Sequence, residues 1–287
     1  MAGDDVAGAA ARVDARAGAE LERKAEDVAV AKAGQSVLTT LALGFLAGLF
    51  IGLGALVMLF VKSDAALSFA PAQLLGGLSF SLGLLLVTAA GAELFTGNTL
   101  MVCAAASGRI PWRAMLRNWA LVWPANLAGA LFLVFLVYMA DAASMNGGAV
   151  GEAMVSVAYA KIDLPAQTVF FRAVLCNVLV CLAVWMGFAG RSVIDKVFTT
   201  VFPVVAFVAC GFEHCIANMF FLPAGIVAAG AGGYAGAGLD AAAVAEVVNL
   251  GGAACNILVA TAGNIVGGAL VVGGLYWLAL HRGTRRR

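Results

Sequence analysis

Hydrophobic positions in this chain do not alternate with polar ones in a helical or strand rhythm; they run together. Apolar runs of about 20 residues or more mark helices long enough to cross a bilayer. They fall near 36–61, 71–103, 114–139, 166–189, 197–227 and 249–280. Turn-rich links separate them: Lys62-Ser63-Asp64, Ser107-Gly108-Arg109-Ile110-Pro111, a longer stretch near 140–165, Gly190-Arg191-Ser192, and a Gly/Ala-rich loop near 224–246. The second, fifth and sixth runs exceed one crossing. Inside the second and fifth, the apolar pattern is broken by Gly91-Ala92-Glu93 and Gly211-Phe212-Glu213, each followed five residues after the Glu by an amide, Asn98 or Asn218.

An acid at membrane depth is costly, and glycine beside it loosens the helix. A second match joins the first: Asn118, Asn126 and Gly129 in the third run recur as Asn256, Asn264 and Gly267 in the sixth. Three runs per half is odd, so the second copy enters the membrane upside down. This pattern predicts an all-α integral membrane protein of six spans, an inverted 3+3 repeat with broken helices 2 and 5, and a site near the midplane where the breaks meet. Three regions follow: a polar amphipathic segment over 1–35, a transmembrane domain over 36–280, and a basic tail over 281–287.

Composition agrees. Of 287 residues 63% are hydrophobic and 11% charged, against about 25% charged in soluble domains. No cleavable leader is evident at the amino terminus. Charge distribution sets the orientation: 14 of the 17 basic residues lie in the amino-terminal segment, the second and fourth links and the tail. The positive-inside rule then puts both termini in the cytoplasm of a bacterial-type inner membrane. Six cysteines without a CxxC, and two histidines far apart, His214 and His281, offer no metal set. Neither HExxH nor GxSxG occurs, so an enzyme is disfavoured; a membrane protein without a pore is the remaining rival. Nothing in the charge pattern points to nucleic acid, and no cofactor is implied.

Each break should free backbone N–H groups and aim the positive end of a half-helix at the membrane centre. Two such ends, at Thr96 and His214, suit a small anion rather than a cation that needs a shell of oxygens. His214, in its ordinary titration range, is a candidate proton donor to a weak-acid anion. Glu213 and Glu93 are read as anchors that accept hydrogen bonds from unwound backbone. Thr96 supplies a hydroxyl and Asn177 an amide near the presumed pore. Phe80, Leu84, Leu94, Phe95 and Phe207 are candidate apolar gates. Lys32 and Lys161 are candidate anion collectors at the two mouths. Arg172 either snorkels or pairs with a carboxylate.

Four stretches, Gly91–Asn98, Arg172–Ala183, Gly211–Phe221 and Gly263–Gly268, closely resemble the motifs of the formate/nitrite transporter family. The likeness runs from about Glu26 to Trp277. It implies an aquaporin-like protomer, a homopentamer in the lipid bilayer, and one pore per protomer for a small monovalent anion. Formate or nitrite comes first; hydrosulfide, acetate or lactate is the alternative, in some cases with a proton. The resemblance assigns the central pore to His214, Thr96 and Asn177, with Glu213 orienting the histidine. It assigns the constrictions to Phe80, Leu84, Leu94, Phe95 and Phe207, and the entries to Lys32 and Lys161.

Overall fold

A computed structural model describes residues 18–231 and 233–284, the last four by backbone alone. Residues 1–17 of the 1–35 segment and residues 285–287 of the basic tail lie outside the described residues. The structure is all-α. Five helices are long and apolar enough to cross a membrane: α2 (Val37–Lys62), α3 (Phe69–Ala90), α5 (Trp112–Met139), α7 (Ala166–Ala189) and α11 (Leu250–Leu280). Two shorter apolar helices, α4 (Phe95–Ala106) and α9 (Cys215–Gly230), follow the two breaks. The others are α1 (Ala19–Ala33), α6 (Ala149–Ile162), α8 (Val193–Ala209) and α10 (Ala241–Val247).

Local chemistry sets the ends. The Ser36 hydroxyl accepts from Thr39 N–H to open α2, and Asn249 accepts from Gly252 N–H to open α11. Ser192 and Asp195 form a capping box at the start of α8. There the exposed Asp195 carboxylate accepts from the backbone N–H of Arg191 and Ser192, which holds it below the ordinary carboxylate range. Pro111 and Pro165 stand immediately before α5 and α7. Large apolar side chains such as Leu38, Phe69, Phe135 and Phe202 remain exposed on the outer surface, as helices against lipid require.

Tight helix crossings depend on glycine. A Cβ on Gly48 would lie 1.9 Å from the Asn126 carbonyl oxygen, and one on Gly129 would lie 1.9 Å from that of Phe45, so α2 and α5 touch backbone to backbone. In the other half, Gly263 and Gly267 meet the Phe170 and Val174 carbonyl oxygens at 2.4 and 2.2 Å, bringing α11 against α7 in the same way. Beyond that crossing α11 widens into π geometry over Val266–Gly274.

Two links differ from their expected form. The stretch near 140–165 contains a four-turn helix, α6, opened after Gly148 and carrying Glu152 in its first turn and Lys161 in its last. The loop near 224–246 is shorter than expected, because α9 runs on to Gly230 and Asp240 caps α10 by accepting from Ala243 N–H. Alanine and glycine dominate both stretches, and their low hydropathy contrast hides helical faces.

Candidate functional site

Both breaks have the same internal construction. Gly91 and Gly211 take the left-handed conformation, with φ of 79° and 67°, which ends α3 and α8. The residues after them are extended, and in an apolar interior their backbone groups require partners. Asn126 supplies them in the first break: its Oδ1 accepts from Phe95 N–H, and its Nδ2 donates to the Gly44 and Glu93 carbonyls. Asn264 does the same in the second, accepting from Cys215 N–H and donating to the Ala173 and Glu213 carbonyls. The Glu93 and Glu213 N–H groups donate to the Leu43 and Arg172 carbonyls.

The carboxylates of Glu93 and Glu213 serve a different purpose from the expected one. Each is almost fully buried and bonded to a lysine and an amide, not to unwound backbone. Lys32 Nζ lies 3.0 Å from Glu93 Oε2 and 2.7 Å from Asn98 Oδ1, while Asn98 Nδ2 donates to Glu93 Oε2 (2.6 Å) and Asn118 Oδ1 (2.8 Å). Lys161 Nζ lies 2.8 Å from Glu213 Oε1, and Asn218 Nδ2 donates to Glu213 Oε2 (2.6 Å) and Asn256 Oδ1 (2.7 Å). A buried carboxylate needs such a cation, because its desolvation is otherwise uncompensated. Lys32 and Lys161 are therefore committed to these pairs and are not free charges at the mouths. The backbone anchors are the asparagines of α5 and α11.

The two half-helices meet at their first turns. Thr96 Oγ1 and His214 Nε2 are 2.9 Å apart, both side chains buried. His214 is the N-cap of α9: its Nδ1 accepts from Ala217 N–H at 3.0 Å. An acceptor at Nδ1 places the neutral ring's proton on Nε2, so the ring donates toward Thr96. Glu213 bonds Lys161 and Asn218, so the ring is oriented by its own helix cap and by Thr96. Asn177 braces α4 from behind, donating to the Asn264 carbonyl at 2.6 Å, the Thr96 carbonyl at 3.3 Å and Thr99 Oγ1 at 3.2 Å.

A cavity opens on each side of this contact. The one on the α1 side, about 330 Å³, is lined by Lys32, Glu93, Asn98, Leu84 and Leu94, with Lys24 and Lys196 further out. The one on the α6 side, about 180 Å³, is lined by Lys161, Glu213, Asn218, His214, Phe80 and Phe207. Phe80 and Leu84, one turn apart on α3, thus belong to opposite cavities. Phe207 stacks on His214 with centroids 6.0 Å apart and meets Phe80 edge-on at 5.7 Å. Phe95 stands apart from both cavities, its ring packed against Trp119 at 6.0 Å. Successive helical residues point about 100° apart, so Phe95 packs on Trp119 while Thr96 meets His214. Thr96 and Asn177 are fully buried and line neither of these two cavities. Among the described residues no group of three or more His, Cys, Asp or Glu side chains is arranged to hold a metal.

Sequence reasoning paired Asn118 with Asn256 and Asn126 with Asn264 but gave them no role in the site. It also missed Lys62, Gln73 and Lys196 as cavity residues. Among the described residues Arg172 pairs with no carboxylate: Nη1 donates to the Gly211 carbonyl at 3.4 Å, so the guanidinium braces the break.

The formate/nitrite transporter family profile matches residues 19–278. The chain is 38% identical over 264 residues to the formate channel FocA of Escherichia coli K12, covering 91% of this chain and 93% of that one. It is 36% identical over 258 residues to a probable formate transporter of Methanothermobacter thermautotrophicus, covering 82% and 86%. Its structure superposes on a solved pentameric formate channel with formate bound, at a TM-score of 0.78 and 38% identity over 85% of this chain and 97% of that one. With a matched profile across nearly the whole chain and the same fold, this protein is a membrane transporter rather than an enzyme, and belongs to the formate/nitrite transporter family.

Proposed function

We propose that the chain carries small monovalent anions, formate first, across a bacterial-type inner membrane through one path in each protomer of a homopentamer. The observation that carries this reading is the 2.9 Å contact between Thr96 and His214, where two half-helix starts converge between two lysine-bearing cavities. Converging positive helix ends stabilise a negative solute in an apolar interior. The His214 Nε2–H is the donor it would meet. Similarity to formate channels supports formate over nitrite, hydrosulfide or lactate.

The path reads as an aquaporin-like, six-span inverted repeat. Support comes from the bond-for-bond match around Asn126 and Asn264, and from the parallel Lys–Glu–Asn–Asn sets. The match extends to α1 and α6, which deliver Lys32 and Lys161 to equivalent carboxylates. The distribution of basic residues supports both termini in the cytoplasm, with the α1-side cavity facing inward.

Proton linkage has a defined cost in this geometry. Protonating His214 at Nδ1 breaks the cap bond from Ala217 N–H, so a proton-linked cycle must loosen the first turn of α9. The test is formate flux in proteoliposomes, with and without an inward proton gradient, for wild type and His214→Asn. Asparagine is a good N-cap but does not titrate. If His214 couples the proton, the variant conducts with its pH response lost. An unchanged pH response removes that role.

A further inference from the structure

The mouth lysines named by the sequence are neutralised by their glutamates, so another charge must face an arriving anion. The α6-side cavity holds two further cations, Lys62 at the end of α2 and Arg172 in α7, both half-buried. Among the described residues neither makes an ion pair. Lys62 Nζ donates to Gln73 Oε1, a neutral acceptor, and Gln73 Nε2 in turn donates to the Ala209 carbonyl at 3.3 Å. The bond to Gln73 holds the ammonium at the cavity wall without cancelling its charge.

Arg172 is held in a comparable way. Its Nη1 donates to the Gly211 carbonyl, one of the five N–H donors of a guanidinium. With Glu213 matched by Lys161, Lys62 and Arg172 are the uncompensated charges of this cavity. They stand in the same cavity whose inner wall is Phe80 and Phe207.

We propose that Lys62 and Arg172 form an anion-capture station ahead of that aromatic wall, and that Arg172 makes it selective for planar carboxylates or similar oxyanions. A guanidinium fork matches two oxygens of one anion, whereas an ammonium acts as a point charge. An anion with a single acceptor atom, such as hydrosulfide, gains the field of the station but not the fork. The inference rests on the transport reading given above.

The test is saturation of anion flux in vesicles by purified wild type, Lys62→Gln, Arg172→Gln and Arg172→Lys, with formate and with hydrosulfide. At low ionic strength, either glutamine variant should raise the half-saturating formate concentration roughly threefold to tenfold, the effect of one unit charge acting across a partly solvated cavity. The saturating rate should stay within about twofold, and the difference from wild type should shrink at about 0.5 M salt, where screening is strong. Arg172→Lys should weaken formate saturation and leave hydrosulfide unchanged. Should Arg172→Gln fail to assemble, Lys62→Gln and Arg172→Lys carry the test. Wild-type flux with half-saturation unchanged in the variants overturns the station and leaves the transport reading standing. Wild type that passes neither anion overturns both.

Discussion

Replacing Asn264 with leucine, a side chain of similar volume, isolates the hydrogen bonds that make the second break possible. The amide serves three buried groups: Cys215 N–H at 2.9 Å, the Ala173 carbonyl at 2.7 Å and the Glu213 carbonyl at 3.0 Å. Leucine fills the space and serves none of them. Each orphaned buried polar group costs about 1–3 kcal/mol, so three of them cost roughly 3–9 kcal/mol. Thermal unfolding of the detergent-solubilised protein, followed together with oligomer retention, should show a large fall in Tm or a failure to assemble. Asn126→Leu removes the matching three bonds, to Phe95, Gly44 and Glu93, and should cost a similar amount. Asn249→Ala, which removes an exposed cap, should cost only about 1 kcal/mol. If Asn264→Leu melted within a degree or two of Asn249→Ala and still transported, the asparagines would not be what holds the breaks open.

Three further outcomes follow from the same geometry. Lys161→Met leaves the buried Glu213 carboxylate without its cation and should destabilise by about 3–5 kcal/mol; adding Glu213→Gln should restore most of the loss in the same melting assay. Gly267→Ala, whose Cβ would sit 2.2 Å from the Val174 carbonyl oxygen, should prevent correct packing of α11 on α7, whereas Gly97→Ala, 3.5 Å from Val184 Cγ2, should assemble normally on size exclusion. Asp195 titrates below its ordinary value because backbone N–H groups stabilise the carboxylate. Its capping contribution is therefore full above about pH 4 and is lost as pH falls through the lowered value. Hydrogen exchange at the first turn of α8 should accelerate there, and Asp195→Asn should flatten that response.

The spans were legible because long apolar runs have few alternatives, and the breaks because an acid beside glycine at that depth has almost none. Asn118/Asn256 and Asn126/Asn264 were visible as a repeat, yet their work was hidden. An asparagine in an apolar helix signals a buried amide but not which distant carbonyls it reaches, and Asn264 bonds residues 91 and 51 positions away. The same distance problem hid the charge pairing. Lys32 and Lys161 do line the two cavities, but nothing in sequence order brings them to Glu93 and Glu213. Helix α6 escaped notice because alanine, glycine and valine give it little amphipathic contrast. Phe95 was a candidate gate that the family resemblance put at a constriction; spacing alone does not show which way it points, and its ring packs on Trp119.

The central claim is that converging half-helix starts at Thr96 and His214 give a small anion its passage. Reversal potentials across a planar bilayer containing the purified protein, under a sodium formate gradient balanced by gluconate, test it most directly. The account predicts a potential set by formate, indifferent to replacing sodium with potassium. A potential that follows the cation, or a membrane no more conductive than one without protein, would contradict it.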